Sequence, residues 1–332
     1  MSLTVTEKID LVNIGLMLFS ACIALVLPFE LFLLVYAVLG PLHYLTEISW
    51  LHDRNYFTKG RYDAVWLIII GAVLALMYLG KGLELDFPPM FDASMMFIAL
   101  LSALIFVTVK NTFYKIGGIV LLVFASQVAH NYYALLTLFV PTLVHVYVFT
   151  ALFIVYGAIK SKSRFGLISV AVMILIPFVL YNVFPDETFY QATEYTKKAY
   201  IPFGVLNAFW LKFVDKMPDP HNMEEWNKLV FSSTKGILLM RFIAFAYTYH
   251  YLNWFSKTKI IQWHNVPKMR FLLVIIIWVA SIFLYMYDYM VGIQWLLFLS
   301  FLHVLLEFPL NFISIIGIGN HLKSKVFKPA KG

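Results

Sequence analysis

Unbroken apolar runs constrain this chain more than any other feature. Stretches of ~17–25 residues with few charges recur along it, the length a helix needs to cross hydrocarbon. The strict alternation of membrane-barrel strands is absent. With 61% hydrophobic and 13% charged residues over 332 positions, and a mean hydropathy of +0.81, an ordinary soluble domain is excluded. A helix satisfies its own backbone groups inside a bilayer, so the expected fold is all-α: one polytopic integral membrane bundle of about ten transmembrane helices.

The expected spans are 9–28, 29–51, 64–80, 92–109, 115–139, 141–160, 165–184, 236–256, 270–290 and 293–318. Prolines mark the breaks: Pro28 after the first span, Pro88-Pro89 before the fourth, Pro141 between the fifth and sixth, Pro185 after the seventh. If the spans alternate, Lys8, the Arg54/Lys59/Arg61 loop, Lys110 and Lys115, Lys160 to Arg164, Lys257 to Arg270 and the last four lysines share one side. The opposite short loops hold Lys81 with Glu84, Asp86 and Asp288. Positive short loops stay inside, so both termini are expected in the cytoplasm, as in an inner or plasma membrane. The net charge of +7 is thereby a matter of topology and gives no reason to expect nucleic acid as a partner. No removable signal peptide is expected, because no small-residue cleavage site follows the first run. The long outer connection, 185–235, mixes acids and lysines, and its aromatic stretch from Phe203 to Met217 is read as an interfacial helix. Internal repeats are not evident.

A single cysteine, Cys22, excludes an intrachain disulfide and thiolate-ligated metal. Histidines and carboxylates inside the spans carry the chemistry instead. Hydrocarbon penalises such groups, so each calls for a partner. Counted at ~1.5 Å of rise per residue, His43, His250 and Glu307 each lie roughly 21 Å from the outer end of their spans. His43 and Glu47 are four apart, as are His303 and Glu307, so each pair projects from one helix face. The expected metal ligands are His43, Glu47, His130, His250, His303 and Glu307, with His43, His250 and Glu307 catalytic. His130 and His303 fall at one level and could share an ion. This nitrogen-and-carboxylate set suits Fe(II), with zinc or manganese as alternatives. Carboxylate–histidine sites between bundle helices are an established way of holding iron. Haem is the poorer fit, since a bis-histidine haem needs no carboxylates at these spacings. His52, His264 and His321 could extend the cluster. His145, read at the outer edge of its span, is expected to be an interhelical hydrogen-bond partner, and His221 to be solvated. Arg241 is expected to snorkel or pair with a loop acid. The tyrosines at 247, 249, 251, 285, 287 and 289 are read mainly as packing and belt residues, with lining of a lipid channel as the functional alternative. Asn253 and Glu47 are candidates for orienting the imidazoles.

Three segments carry a resemblance. Val38-Leu39-Gly40-Pro41-Leu42-His43-Tyr44-Leu45-Thr46-Glu47 is similar to the Gly-x-Pro-His-Gly-x-x-Asp segment of the Brp/Blh family of membrane carotene dioxygenases. Phe245-Ala246-Tyr247-Thr248-Tyr249-His250 resembles that family's later aromatic–histidine helix, and Leu302-His303 with Glu307-Phe308-Pro309 resembles its last polar helix loosely. Tyr44 stands in place of a glycine, Trp254 in place of a second histidine, and proline and leucine are transposed in the first segment. The resemblance implies iron, dioxygen and a carotenoid or similar lipid substrate. Two other classes remain open: a transporter using the buried His/Glu set as a proton relay, and a non-enzymatic protein whose polar groups specify helix packing.

Overall fold

The computed structural model describes residues 3–81, 87–88, 90–182, 190–218 and 220–326. Among them no strand occurs. The helices are α1 (Val5–Val26), α2 (Pro28–His52), α3 (Asp63–Lys81), α4 (Phe91–Thr108), α5 (Thr112–Ala125), α6 (Thr150–Ser161), α7 (Arg164–Asn182), α8 (Glu194–Tyr200), α9 (Gly204–Phe213), α10 (Met223–Phe231), α11 (Thr234–Ser256), α12 (Thr258–Ile261), α13 (Lys268–Tyr287) and α14 (Tyr289–Val326). Nine helical stretches in the described residues are long and apolar enough to cross a membrane. A tenth follows if α10 and α11, bent by 61° at their junction, count as one span. The chain is thus an all-α polytopic bundle. Glu84, Asp86, Pro89, Pro185, Asp186, Glu187, Asp219, Lys328 and Lys331 lie outside the described residues.

The fifth and sixth spans depart from expectation. They run Thr112–Tyr132 and Leu135–Ser161, so Pro141 lies inside the sixth span rather than between the two. α5 tightens into a 3₁₀ helix at Ser126–Tyr132, and the chain then widens into a π-helix from Leu135 to Phe149 before returning to α geometry. The missing N–H of Pro141 and the bulk of its ring are absorbed in the wide turns, whose hydrogen bonds reach further back along the chain. The last helix is also longer than expected, continuous from Tyr289 to Lys325 across its apolar window.

Contacts divide the chain into two compact units. The first comprises the chain up to His43, Ile168–Gln262 and Ile275–Ile293; the second comprises Tyr44–Leu167, Trp263–Val274 and the chain from Gln294. In the first unit α1 packs along α11. Buried Asn13 accepts hydrogen bonds from Tyr249 (3.2 Å) and Ser256 (3.1 Å) while its amide donates to the Ile9 carbonyl. The Arg241 Nε donates to the Leu25 carbonyl at 3.1 Å, satisfying an acceptor in the last turn of α1; of the loop acids it was expected to meet, Asp186, Glu187 and Asp219 lie outside the described residues. The Glu30 carboxylate gathers the hydroxyls of Tyr190 and Thr196, tying the outer connection to α2. That carboxylate, after burial, pushes the Tyr190 phenol up from its ordinary pKa. The stretch expected to be an interfacial helix is α9, whose Trp210 ring faces Phe242 of α11 at 6.0 Å. Of the six tyrosines singled out above, five are buried and Tyr287 is 84% exposed.

In the second unit α4 packs against α3 and α5. Trp66 donates to Ser102 across the first pair (3.2 Å). Gly71 lets α3 approach the Leu302 backbone of α14, where an added Cβ would already be in van der Waals contact. Lys115, counted among the loop cations, is buried and paired with Asp63, which also accepts the Gly60 N–H. Removing one partner strands a charge, whereas removing both does not. Asp63→Ala should therefore cost about 3 kcal/mol. The double variant Asp63→Leu/Lys115→Met should recover most of it, as read by thermal unfolding in detergent.

Candidate metal centre

Within the second unit, α14 and the π-helix bring together side chains that sequence reasoning had separated. His303 and Glu307 sit one turn apart on α14 and are 3% and 2% exposed. His145 projects from the π-helix near the middle of its span, and its Nε2 lies 3.1 Å from the Nε2 of His303. The Nδ1 of His145 lies 3.1 Å from Oε2 of Glu307. At that separation the two atoms can be joined by one proton, carried either on Nδ1 or on the carboxyl. Glu47, on α2, is buried and close enough to Glu307 for the two carboxylates to interact electrostatically. The Tyr44 ring stacks on His303 with centroids 4.1 Å apart, fixing the imidazole plane.

The tautomer of His303 follows from its neighbours. Its Nδ1 stands 3.3 Å from the Leu299 carbonyl, which can only accept, so Nδ1 carries the proton. The Nε2 of His303 therefore presents a lone pair to His145. If His145 gives its Nδ1 proton to an ionised Glu307, its Nε2 presents a lone pair as well. Two such lone pairs 3.1 Å apart repel unless a cation lies between them. The separation matches coordination: cis ligands of a six-coordinate ion with bonds of ~2.1 Å stand about 3.0 Å apart. Two neighbouring carboxylates likewise cannot both remain ionised in hydrocarbon without positive charge beside them.

In the first unit, His43 and His250 form a second imidazole pair, Nε2 to Nε2 at 3.0 Å with the rings nearly perpendicular. Tyr251 and Trp254 pack their rings around His43, with centroids 5.3 and 5.4 Å away. Asn253 does not orient either imidazole through a visible hydrogen bond; its Oδ1 accepts from Tyr249 at 3.4 Å.

The remaining sequence candidates lie elsewhere. His130, expected to share an ion with His303, sits on the 3₁₀ turn and lines a mostly apolar pocket of about 370 Å³ between α3, α4 and α5, with Ser126 and Gln127 beside it. The nitrogen that meets His303 belongs to His145 instead. His52 is exposed and within 3.3 Å of the Tyr56 hydroxyl. His221 and His264 are exposed, and His321 is half-buried near the end of α14. His145 was expected to be an interhelical hydrogen-bond partner, which its contact with His303 bears out, but not a member of the cluster of candidate ligands, because placing Pro141 at a span boundary put the histidine at the membrane edge. The available signal was the polar spacing itself: a histidine four residues after a proline inside a continuous apolar run.

No family model, curated protein or solved structure matches this chain. Its site is read from its own geometry. Because lipid tails are as apolar as the interior, truncating Tyr44 loses packing but little hydrophobic transfer energy. Tyr44→Ala should lower stability by about 2 kcal/mol, measured by unfolding in detergent.

Proposed function

We propose that this protein is an integral membrane, metal-dependent oxygenase acting on a hydrophobic molecule such as a carotenoid or another lipid. Its metal centre is built on His145, His303, Glu307 and Glu47. One observation carries the reading: in a buried cluster with two carboxylates, the His303 Nε2 lone pair faces His145 Nε2 at 3.1 Å. Two imidazoles with a carboxylate are the ligand set of non-haem Fe(II) oxygenases, and zinc or manganese would also accept it. The His43–His250 pair repeats the same nitrogen separation and is assigned the same ligand chemistry. The short segments similar to the Brp/Blh family support iron and a polyene substrate.

A bound ferrous ion would supply open coordination positions for dioxygen chemistry. The chain's own residues do the rest. The Leu299 carbonyl fixes the tautomer of His303, and Glu307 holds His145 with its Nε2 directed at the same point. The Tyr44 ring stacked on the buried His303 keeps bulk water from that face of the imidazole. The positive-inside pattern supports a cytoplasmic C-terminus, and a reporter fused after Lys331 should read that side; an external signal would reverse the proposed topology.

A second reading has a specific observation in its favour. With Glu307 protonated, its O–H can point to His145 Nδ1, His145 Nε2–H to His303 Nε2, and His303 Nδ1–H to Leu299. That neutral chain needs no metal and would suit a proton-relaying transporter.

The two readings differ by a proton and an ion. Metal analysis of the purified protein separates them: the oxygenase reading expects near-stoichiometric iron, zinc or manganese. It further expects about tenfold or greater loss in His145→Ala and His303→Ala, with Glu307→Gln weakening retention through its effect on His145. Loading the metal should release about one proton per ion. Oxygen uptake on adding carotenoids tests the substrate class. Metal-free protein that carries proton-coupled flux in liposomes would replace this reading with the second.

A further inference from the structure

The polar face of α14 does not stop at Glu307. Steps of four, four, three, seven and four residues from His303 reach Glu307, Asn311, Ser314, His321 and Lys325. At ~100° per residue these positions share one sector of about 80°. Burial follows the same line. His303, Glu307, Asn311 and Ser314 are buried, His321 is half-buried and Lys325 is exposed, while Ile315, Ile316 and Leu322 face outward off the stripe. The row therefore runs from the buried cluster to the C-terminal end of the helix.

Asn311 is the informative member. It is 2% exposed, yet neither Oδ1 nor Nδ2 meets a hydrogen-bonding partner among the described residues. Leaving an amide unsatisfied in an apolar interior is costly, a penalty that leucine at this position would not incur. What satisfies the amide must both donate and accept, and must fit between packed helices; water does both. Ser314 offers the next station: its hydroxyl donates to the Leu310 carbonyl at 3.1 Å, which leaves its oxygen lone pairs to accept. Beyond it, Gly317 has no side chain, and the Tyr156 ring lies where a Cβ would stand 2.3 Å from Cε2.

We propose that Asn311 anchors internal water in a hydrated file along this face of α14, connecting the C-terminal end of the helix with the Glu307 cluster. The proposal goes beyond the metal reading and does not depend on it, because an oxygenase centre and a proton relay would both use such a route.

X-ray radiolytic footprinting reads it directly on the intact protein in detergent. Hydroxyl radicals formed from bound water oxidise adjacent side chains. Phe308, one turn from Asn311 and fully buried, can be labelled only by internal water, and fully buried Phe245 serves as the control. The expected result is severalfold faster oxidation of Phe308 than of Phe245 in the wild type, falling to the control rate in Asn311→Leu and retained in Asn311→Ser. Equal rates for the two phenylalanines in the wild type would overturn the proposal, as would unchanged labelling in Asn311→Leu. If Asn311→Leu fails to fold, the wild-type comparison still decides. Metal content of the same samples is scored separately: metal-free protein with labelled Phe308 removes the metal reading alone, and metal-loaded protein with unlabelled Phe308 removes the water file alone.

Discussion

Hydrocarbon's intolerance of unpaired polar groups governs this structure. Each buried polar side chain in a span must be answered locally, and most are. Asn13 is answered by Tyr249 and Ser256, Glu30 by Tyr190 and Thr196, Asp63 by Lys115 and Arg241 by the Leu25 carbonyl. These arrangements close on themselves and need nothing from outside the chain. The cluster around His303 closes in that way only when Glu307 carries a proton. With its carboxylates ionised, it presents lone pairs and negative charge to one another, and that surplus is the physical basis of the functional reading.

Irregular backbone makes the cluster possible. A regular α-helix from Thr112 to Ser161 would need to accommodate Pro141 by kinking, and its residues would advance at a fixed angle. The tight 3₁₀ turns followed by wide π turns change both the angle and the rise, and His145 lies in the widened stretch. Such π segments recur at functional sites. α14 keeps one helical run of 38 residues although Pro309 lies inside it, and the spacing of four, four and three residues puts His303, Glu307, Asn311 and Ser314 in one sector. An α-helix and a π-widened helix thus supply two sides of the cluster.

Much of the architecture was legible in the sequence because hydrocarbon thickness sets run length and i,i+4 spacing sets the helix face. The His303–Glu307 spacing led to a pair that does share one face of α14, and the matched depths of His43 and His250 led to imidazoles whose Nε2 atoms stand 3.0 Å apart. The boundary at Pro141 was not legible, because a proline in an apolar run reads as a break unless the backbone changes its helical pitch. That one misplacement hid His145 and paired His303 with His130 instead. Asn311 passed unnoticed for another reason: its residue type is common in polar sequence, and only the packing around it shows that no group among the described residues answers its amide.

The central claim is that a cation completes the His145–His303–Glu307–Glu47 cluster. X-ray absorption at the metal edges of the purified protein tests it most directly. The account predicts nitrogen and oxygen scatterers at about 2.0–2.2 Å, with the multiple-scattering pattern of imidazole reduced in His303→Ala. Protein with no bound metal, or with a metal whose spectrum lacks imidazole scattering, would contradict it.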